Sequence, residues 1–322
     1  MQFGIISTAN IADQAVVPAI RDSAHEARAV ASRDPDAAAA FADRHDVPEA
    51  YDSYDALLDA DVDAVYNPLP NALHAEWTKR AADAGLHVLC EKPLAADAEE
   101  AREVVEHCDD AGVTLMEAFM YQYHPRTVRA LEVARDELGD LRHVHAAFNF
   151  PLPRGRDDVR LDPDLAGGAL MDVGCYAVSA ARQFLGEPTL VDATTRDTRD
   201  CGVDTAVAGT LEFDDGATAT VEASFETREK QSYRVEGRDG WLEVEDAFNV
   251  PEDGGTLRWG TDEKTVTEEF DPVDQYRLEV EHFAASVDAG RDPLTDGEEA
   301  VANMRTIDAI YEAAAAGESV PL

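Results

Sequence analysis

The sequence predicts an α/β protein: a doubly wound parallel sheet followed by an α+β half with an open, mostly antiparallel sheet. Three observations predict it. Short apolar runs alternate with helical stretches through the first third. The first strand runs straight into a loop of small residues, Ser7-Thr8-Ala9-Asn10-Ile11. After about residue 118 alternating strand-like segments dominate. Apolar strands separated by helices of about 10 to 15 residues make βαβ units, and right-handed crossovers wind them on both faces of one sheet.

In order, strands are expected over Gln2–Ser7, Ala27–Ser32, Ala64–Tyr66, His87–Cys90 and Val113–Glu117. Helices are expected over Asn10–Ile20, Pro35–Arg44, Ala72–Ala84 and Asp97–Asp109. Beyond them come a helix over Pro125–Leu138, a strand over His143–Phe150 and a helix over Asp172–Phe184. Strands over Leu190–Asp197, Ala206–Phe213, Thr218–Phe225, Tyr233–Gly237 and Trp241–Glu245 follow. Asp214-Asp215-Gly216 is a hairpin signal. Helices over Asp274–Ala289 and Gly297–Ala315 close the chain. The expected domains are residues 1–120, a nucleotide-binding unit, and 121–322, a substrate-binding and oligomerisation unit, with the last helices able to pack back on the first.

The 322 residues carry 27 Lys and Arg against 67 Asp and Glu, a formal net charge of −40. The acids are spread along the chain, and 45% of residues are hydrophobic, so this is a folded protein with an acidic surface. Mutual repulsion at this charge is screened in concentrated salt, where the Debye length is roughly 3 Å at 1 M. That suggests a salt-rich cytoplasm. A nucleic-acid partner is not expected without a basic face. Cys90, Cys108, Cys175 and Cys201 lack CxxC spacing and read as reduced thiols, and no metal site is expected. No export signal opens the chain, and no apolar run approaches the roughly 20 residues of a membrane span. A soluble cytoplasmic protein is expected.

Lysine is scarce: only Lys79, Lys92, Lys230 and Lys264 occur. Lys92 ends the apolar run Leu86-His87-Val88-Leu89-Cys90-Glu91. An ammonium there needs a partner, since burying a lone charge costs several kcal/mol. It is either half of a structural pair with Glu91 or a catalytic cation. The small-residue loop 7–11 stands where a dinucleotide pyrophosphate meets a helix N-terminus, although Ser7, Ala9 and Ala12 replace the usual glycines. A tight turn capped by Thr8 or Asn10 is the plainer alternative. The second strand ends in Ser32-Arg33. Arg in this place accommodates a ribose 2′-phosphate, and Ser32 can add a hydroxyl, favouring NADP over NAD. A salt bridge from Arg33 to Asp34 or Asp36 competes with that reading.

These segments, with Asn67-Pro68-Leu69-Pro70-Asn71 and His74, Cys90-Glu91-Lys92-Pro93, Met116–Tyr121 with His124-Pro125, and Gly167–Tyr176, resemble the glucose–fructose oxidoreductase/inositol dehydrogenase family over essentially the whole chain. Within it the sequence is most similar to the D-xylose 1-dehydrogenase and dihydrodiol dehydrogenase branch. The resemblance implies a Rossmann domain, a C-terminal domain whose open sheet forms the subunit interface of a dimer or larger homo-oligomer, and NADP-linked oxidation of a cyclic alcohol. The expected reaction is oxidation of an aldopyranose such as D-xylose at C1. Alternatives are trans-dihydrodiol oxidation, keto-sugar reduction, or a cofactor-sensing regulator. Inositol-type members carry His where this chain has Tyr176, which weakens an inositol assignment.

The implied roles are specific. Tyr176 is the acid or base. A Lys ammonium about 4 Å from a phenol contributes roughly 4 kcal/mol at an effective dielectric near 20, about 3 pK units, with burial opposing it. Lys92 would orient the substrate hydroxyl and stabilise the phenolate. Asp172, four residues before Tyr176 on the same expected helix face, would bind a neighbouring hydroxyl. Glycines 167 and 168 would let that helix begin close to nicotinamide and substrate. Glu91 would orient the cofactor or Lys92. Pro68, Asn71 and His74 would border the cofactor, and Tyr121 and Arg160 the substrate. Tyr176 as a core aromatic and Asp172 as a helix cap are the competing structural roles.

Overall fold

The computed structural model describes residues 1–155, 158–251 and 254–322. The strands of the first half are β1 (Gln2–Ile6), β2 (Glu26–Ala31), β3 (Glu49–Tyr51), β4 (Ala64–Asn67), β5 (His87–Glu91) and β6 (Leu115–Ala118). Its helices are α1 (Val17–Arg21), α2 (Pro35–His45), α3 (Tyr54–Leu58), α4 (His74–Asp83) and α5 (Ala98–Ala111). Then come α6 (Pro125–Glu137), β7 (Leu141–Asn149), α7 (Cys175–Leu185), β8 (Leu190–Arg196), β9 (Ala206–Glu212), β10 (Thr218–Ser224), β11 (Lys230–Gly237) and β12 (Gly240–Glu245). The chain ends with β13 (Gly255–Thr261), β14 (Thr265–Phe270), α8 (Gln275–Ala289), α9 (Gly297–Ala316) and β15 (Val320–Pro321). It forms two compact units: Met1–Met120 with Asp274–Val301, and Tyr121–Val273 with Ala302–Leu322.

In the first unit a six-stranded sheet runs β3-β2-β1-β4-β5-β6, every pair parallel. Residues 3–6 of β1 and all of β4 are buried, as strands covered on both faces require. The strand order reverses between β1 and β4, where open α/β sheets bind ligands beyond the strand ends. Helix α2 starts sharply because the Asp34 carboxylate accepts from the Asp36 and Ala37 amides and Pro35 opens the first turn. The helix expected over Asn10–Ile20 is irregular. A π-helical turn over Ala12–Val16 precedes α1, and Pro18, lacking an amide hydrogen, stands just beyond it. Strand β3 and helix α3 were not among the expected elements, since at three and five residues they are too short to show a period.

In the second unit a nine-stranded sheet runs β14-β13-β12-β11-β7-β10-β9-β8-β15. It is antiparallel except between β7 and β10. Helix α7 packs on β7 and β10, and α6 on β12 and β13. Strands β13 and β14 were not expected. The sequence Thr265–Phe270 alternates exposed and half-buried residues, with Glu268 and Glu269 in an edge strand, a charged pattern that blunts edge pairing but looks like loop. Among the described residues no helix is long and apolar enough to cross a membrane.

Candidate active site

The Lys92 turn follows β5 in the first unit. Glu91 and Lys92 are half-buried, and the Lys92–Pro93 peptide is cis. Three side chains that sequence reasoning did not connect to this turn fix it. The Tyr66 hydroxyl donates to Glu91 Oε1 at 2.6 Å. The Leu94 amide donates to Glu117 Oε1 at 2.8 Å. His74, fully buried, places Nδ1 2.8 Å from the Pro93 carbonyl and Nε2 2.6 Å from the Leu69 carbonyl. Burial pushes the His74 pKa down to about 4 and the Lys92 charge adds to that, while the two carbonyls oppose it. A neutral ring can donate to only one of these two carbonyls, from whichever nitrogen carries its hydrogen. The buried Asn67 amide binds the His74 carbonyl and Thr78 and so holds the loop carrying Pro68 and Asn71. The backbone on both sides of Lys92 is thus fixed independently of its own side chain.

The loop after β1 carries backbone strain. Ser7 has φ 95°, a region that favours glycine, while its amide bonds the Ala31 carbonyl at 2.9 Å. Ser7 therefore takes the conformation a glycine fingerprint supplies without being glycine. Thr8, Ala9 and Ile11 are half-buried and Asn10 is exposed beside the helix start. At the end of β2 the Ser32 oxygen accepts the Asp34 amide, leaving the hydroxyl hydrogen to donate. Arg33 is exposed and forms no ion pair among the described residues, and Asp34 is occupied in capping α2. The salt-bridge alternative for Arg33 is not what the structure has. A strained small-residue loop and an uncommitted guanidinium fit a dinucleotide bearing a 2′-phosphate.

In the second unit Asp172 lies in a π-helical turn, Leu170–Gly174, that leads into α7. The regular helix expected from Asp172 begins only at Cys175, so the shared α-helical face with Tyr176 is corrected to a π-to-α junction. Asp172 does not cap this helix. Its Oδ2 accepts from Arg160 Nε at 2.9 Å, and Arg160 Nη1 also reaches Asp158 at 3.2 Å. The Asp172 carboxylate, more than Asp158, strengthens the hold of the Arg160 guanidinium on its proton. Asp204 does the capping: it accepts the Leu170 amide at 2.9 Å and the Tyr311 hydroxyl at 2.7 Å. Burial raises the Asp204 pKa, and the Tyr311 bond opposes the rise.

The two glycines answer to these groups. A Cβ on Gly167 would stand 2.6 Å from the Arg160 carbonyl, and one on Gly168, at φ +127°, would overlap Asp204 Oδ1. The Arg160 carbonyl and the Asp204 carboxylate thus press on the two glycines. Tyr176 is 4% exposed. Its ring centroid lies 5.3 Å from Phe248, 5.4 Å from Phe148 and 5.8 Å from Tyr121. The buried Arg126 donates to the Glu245, Asp246 and Ala247 carbonyls, fixing the strand end that delivers Phe248.

Residues 1–119 match the oxidoreductase family with an NAD-binding Rossmann fold, and residues 126–243 match the GFO/IDH/MocA C-terminal domain. The chain belongs to the Gfo/Idh/MocA oxidoreductase family. It is 59% identical to D-xylose 1-dehydrogenase (NADP(+)) 2 of Haloferax volcanii, over all of both chains. A 3-ketoreductase from Actinomadura kijaniata, solved with NADP and TDP-benzene, superposes with a TM-score of 0.92 at 32% identity over 97% of each chain. An aldose–aldose oxidoreductase from Caulobacter crescentus also gives 0.92, at 30% identity over 100% of this chain and 99% of that one.

Two of the expected contact residues have other work in this Gfo/Idh/MocA chain. Both His74 ring nitrogens face backbone carbonyls, so its ring positions the loops around Lys92 rather than reaching a cofactor. Tyr121 is fully buried, with its hydroxyl 2.9 Å from Ser179 Oγ and 3.3 Å from Gln183, so it supports Tyr176 from behind. Arg160 reaches Asp172 and positions it directly. Glu91, Lys92, Pro68 and Asn71 stand in the first unit, and Asp172, Tyr176 and Arg160 in the second. His143 and His145 bind Thr218 and Thr220, and among the described residues no group of three or more metal-ligating side chains gathers.

Proposed function

We propose that the protein is an NADP-dependent sugar 1-dehydrogenase that oxidises an aldopyranose, D-xylose first among candidates, to its lactone. The observation that carries this is the 59% identity to the Haloferax enzyme over the whole of both chains. The exposed Arg33 at the end of β2, which forms no ion pair among the described residues, independently supports a 2′-phosphate on the cofactor. The residues to hold it are Ser7, Thr8, Ala9, Asn10, Ile11, Ser32, Arg33, Pro68, Asn71 and Glu91. The bound nicotinamide supplies the hydride acceptor. Tyr176 takes the proton of the anomeric hydroxyl, and the Lys92 ammonium orients that oxygen and stabilises the phenolate. Asp172, fixed by Arg160, accepts from a neighbouring ring hydroxyl and sets the sugar's orientation.

The assay is NADP⁺ reduction in about 2 M KCl, chosen to screen the −40 charge, with aldoses, polyols, trans-diols and, in the reverse direction, keto-sugars. Turnover of a pentose or hexose with NADP⁺ and little with NAD⁺ is expected. Turnover of keto-sugars alone would replace the reading with a ring-ketone reductase. In the same assay Arg33→Ala is expected to raise the KM for NADP⁺ by about 10- to 100-fold, one lost charge-assisted contact, and to leave that for NAD⁺ unchanged. Equal effects on both cofactors would remove Arg33 from phosphate recognition.

The same reading includes a cytoplasmic protein, adapted to salt, that self-associates through the sheet of the second unit. The sheet face that carries His143, His145, Thr218, Thr220, Arg234, Trp241 and Glu243 offers an amphipathic surface, with the Arg234 guanidinium 4.5 Å from the Trp241 ring centroid. Light scattering at high salt would give a dimer or larger if this face pairs, and a monomer if it does not.

A further inference from the structure

Glu279 on α8 is fully buried, and among the described residues neither carboxyl oxygen has a hydrogen-bond partner. No part of the proposed reaction uses it. An ionised carboxylate without donors in an apolar interior costs several kcal/mol, so such a group is either neutral or retained for a purpose. Its surroundings decide how. The charged groups bearing on it are Glu91 and Asp274, both negative, and burial acts in the same direction, so its pKa is pushed well above the usual carboxylate range. Tyr66 and Tyr276 complete the cluster: burial first, then the Glu91 charge, raises each phenol, and the Glu279 charge also acts on both. Asp274 is spent capping α8 through the Tyr276 and Arg277 amides. The segment packed against α8 from Ala12 to Arg21 carries Asp13, Arg21 and the adjoining Asp22, and these are paired as Asp13 with Arg44 and His45, and Arg21 with Asp22.

Two acids in electrostatic reach of each other inside a protein share one negative charge, and the proton goes to the group with fewer donors. Glu91 accepts from the Tyr66 hydroxyl at 2.6 Å, and Glu279 has no donor. We infer that Glu279 is a positioning residue for the reaction, a neutral acid behind Glu91 that keeps a single carboxylate charge beside Lys92. The inference rests on the proposed role of Lys92. When Glu279 ionises, a second negative charge arrives in electrostatic reach of Glu91, which offsets part of the Lys92 field and disfavours an anionic oxygen beside it.

The linkage has a definite sign. The folded state holds the Glu279 proton above the pH at which the unfolded chain releases it. Stability therefore falls as pH rises from the ordinary carboxylate pKa through the raised folded one. Glu279→Gln keeps the neutral shape and lacks this slope, so its advantage in Tm over the parent grows with pH. The decisive readout is the pH profile of kcat and kcat/KM with NADP⁺ and D-xylose in high salt. Glu279→Gln is expected to keep kcat within about twofold at neutral pH and to lack the falling limb, roughly tenfold per pH unit, that ionisation of Glu279 gives the parent as pH rises. Superimposable profiles with a changed Tm would reduce Glu279 to packing and overturn the inference. A second arm needs no turnover: infrared spectra of the cofactor-free protein at neutral pH should contain a protonated-carboxyl C=O stretch that Glu279→Gln removes. Absence of that band in the parent would also overturn the inference. Absence of sugar turnover with the band present would instead strike at the proposed substrate, leaving the protonation of Glu279 established.

Discussion

Lys92→Ala is expected to lower kcat/KM by about 10²- to 10⁴-fold while leaving NADPH affinity nearly unchanged. Tyr66 holds Glu91, His74 meets the Pro93 carbonyl, and Glu117 binds the Leu94 amide, so removing the Lys92 side chain leaves its backbone in place. What disappears is a compact ammonium, the charge that orients a hydroxyl oxygen and favours a phenolate. Lys92→Arg should fare little better, because a planar fork cannot replace a point charge on a short reach. Initial rates in concentrated salt, with NADPH titrated by its fluorescence, separate chemistry from binding. Activity within tenfold of the parent would end the assignment and leave Lys92 as half of a structural pair.

What made Lys92 legible was its place: a rare residue at the end of an apolar strand, where a charge needs a reason. Arg33 was legible in the same way, a cation at the end of β2 in a strongly acidic chain. The parallel order of the first sheet followed from the alternation of apolar runs and helices. The supports were not legible. Tyr66 lies 25 positions from Glu91, and Asp204 lies 107 from Tyr311. Neither pair shares a local pattern, because tertiary contacts alone bring them together. Glycines 167 and 168 stand out in the sequence for tolerance of close approach, but Arg160 and Asp204, which press on them, share no local pattern with them. Glu279 was hidden for a related reason. On a helix with Glu281 and Asp288 it reads as one more surface acid, and its helix phase does not betray complete burial.

Tyr176→Phe separates the catalytic reading of that residue from the structural one. The ring packs between Phe148, Phe248 and Tyr121, and phenylalanine preserves that packing atom for atom except for the hydroxyl. If the hydroxyl moves the proton of the substrate, kcat should fall by about 10²- to 10⁴-fold, with KM for the sugar changed far less, and the limb of the pH profile that reports the phenol should vanish. If the hydroxyl only satisfies a buried polar neighbour, turnover should persist and the loss should appear as about 1 kcal/mol of stability. Asp172→Asn supplies the contrast. It removes a charge that Arg160 pins through Nε, so its effect should fall mainly on KM, with kcat reduced less than in Tyr176→Phe. A kcat deficit confined to Tyr176→Phe, with the KM deficit in Asp172→Asn, would assign proton transfer to the phenol and sugar orientation to the carboxylate. The reverse pattern would exchange the two roles and make a carboxylate the base.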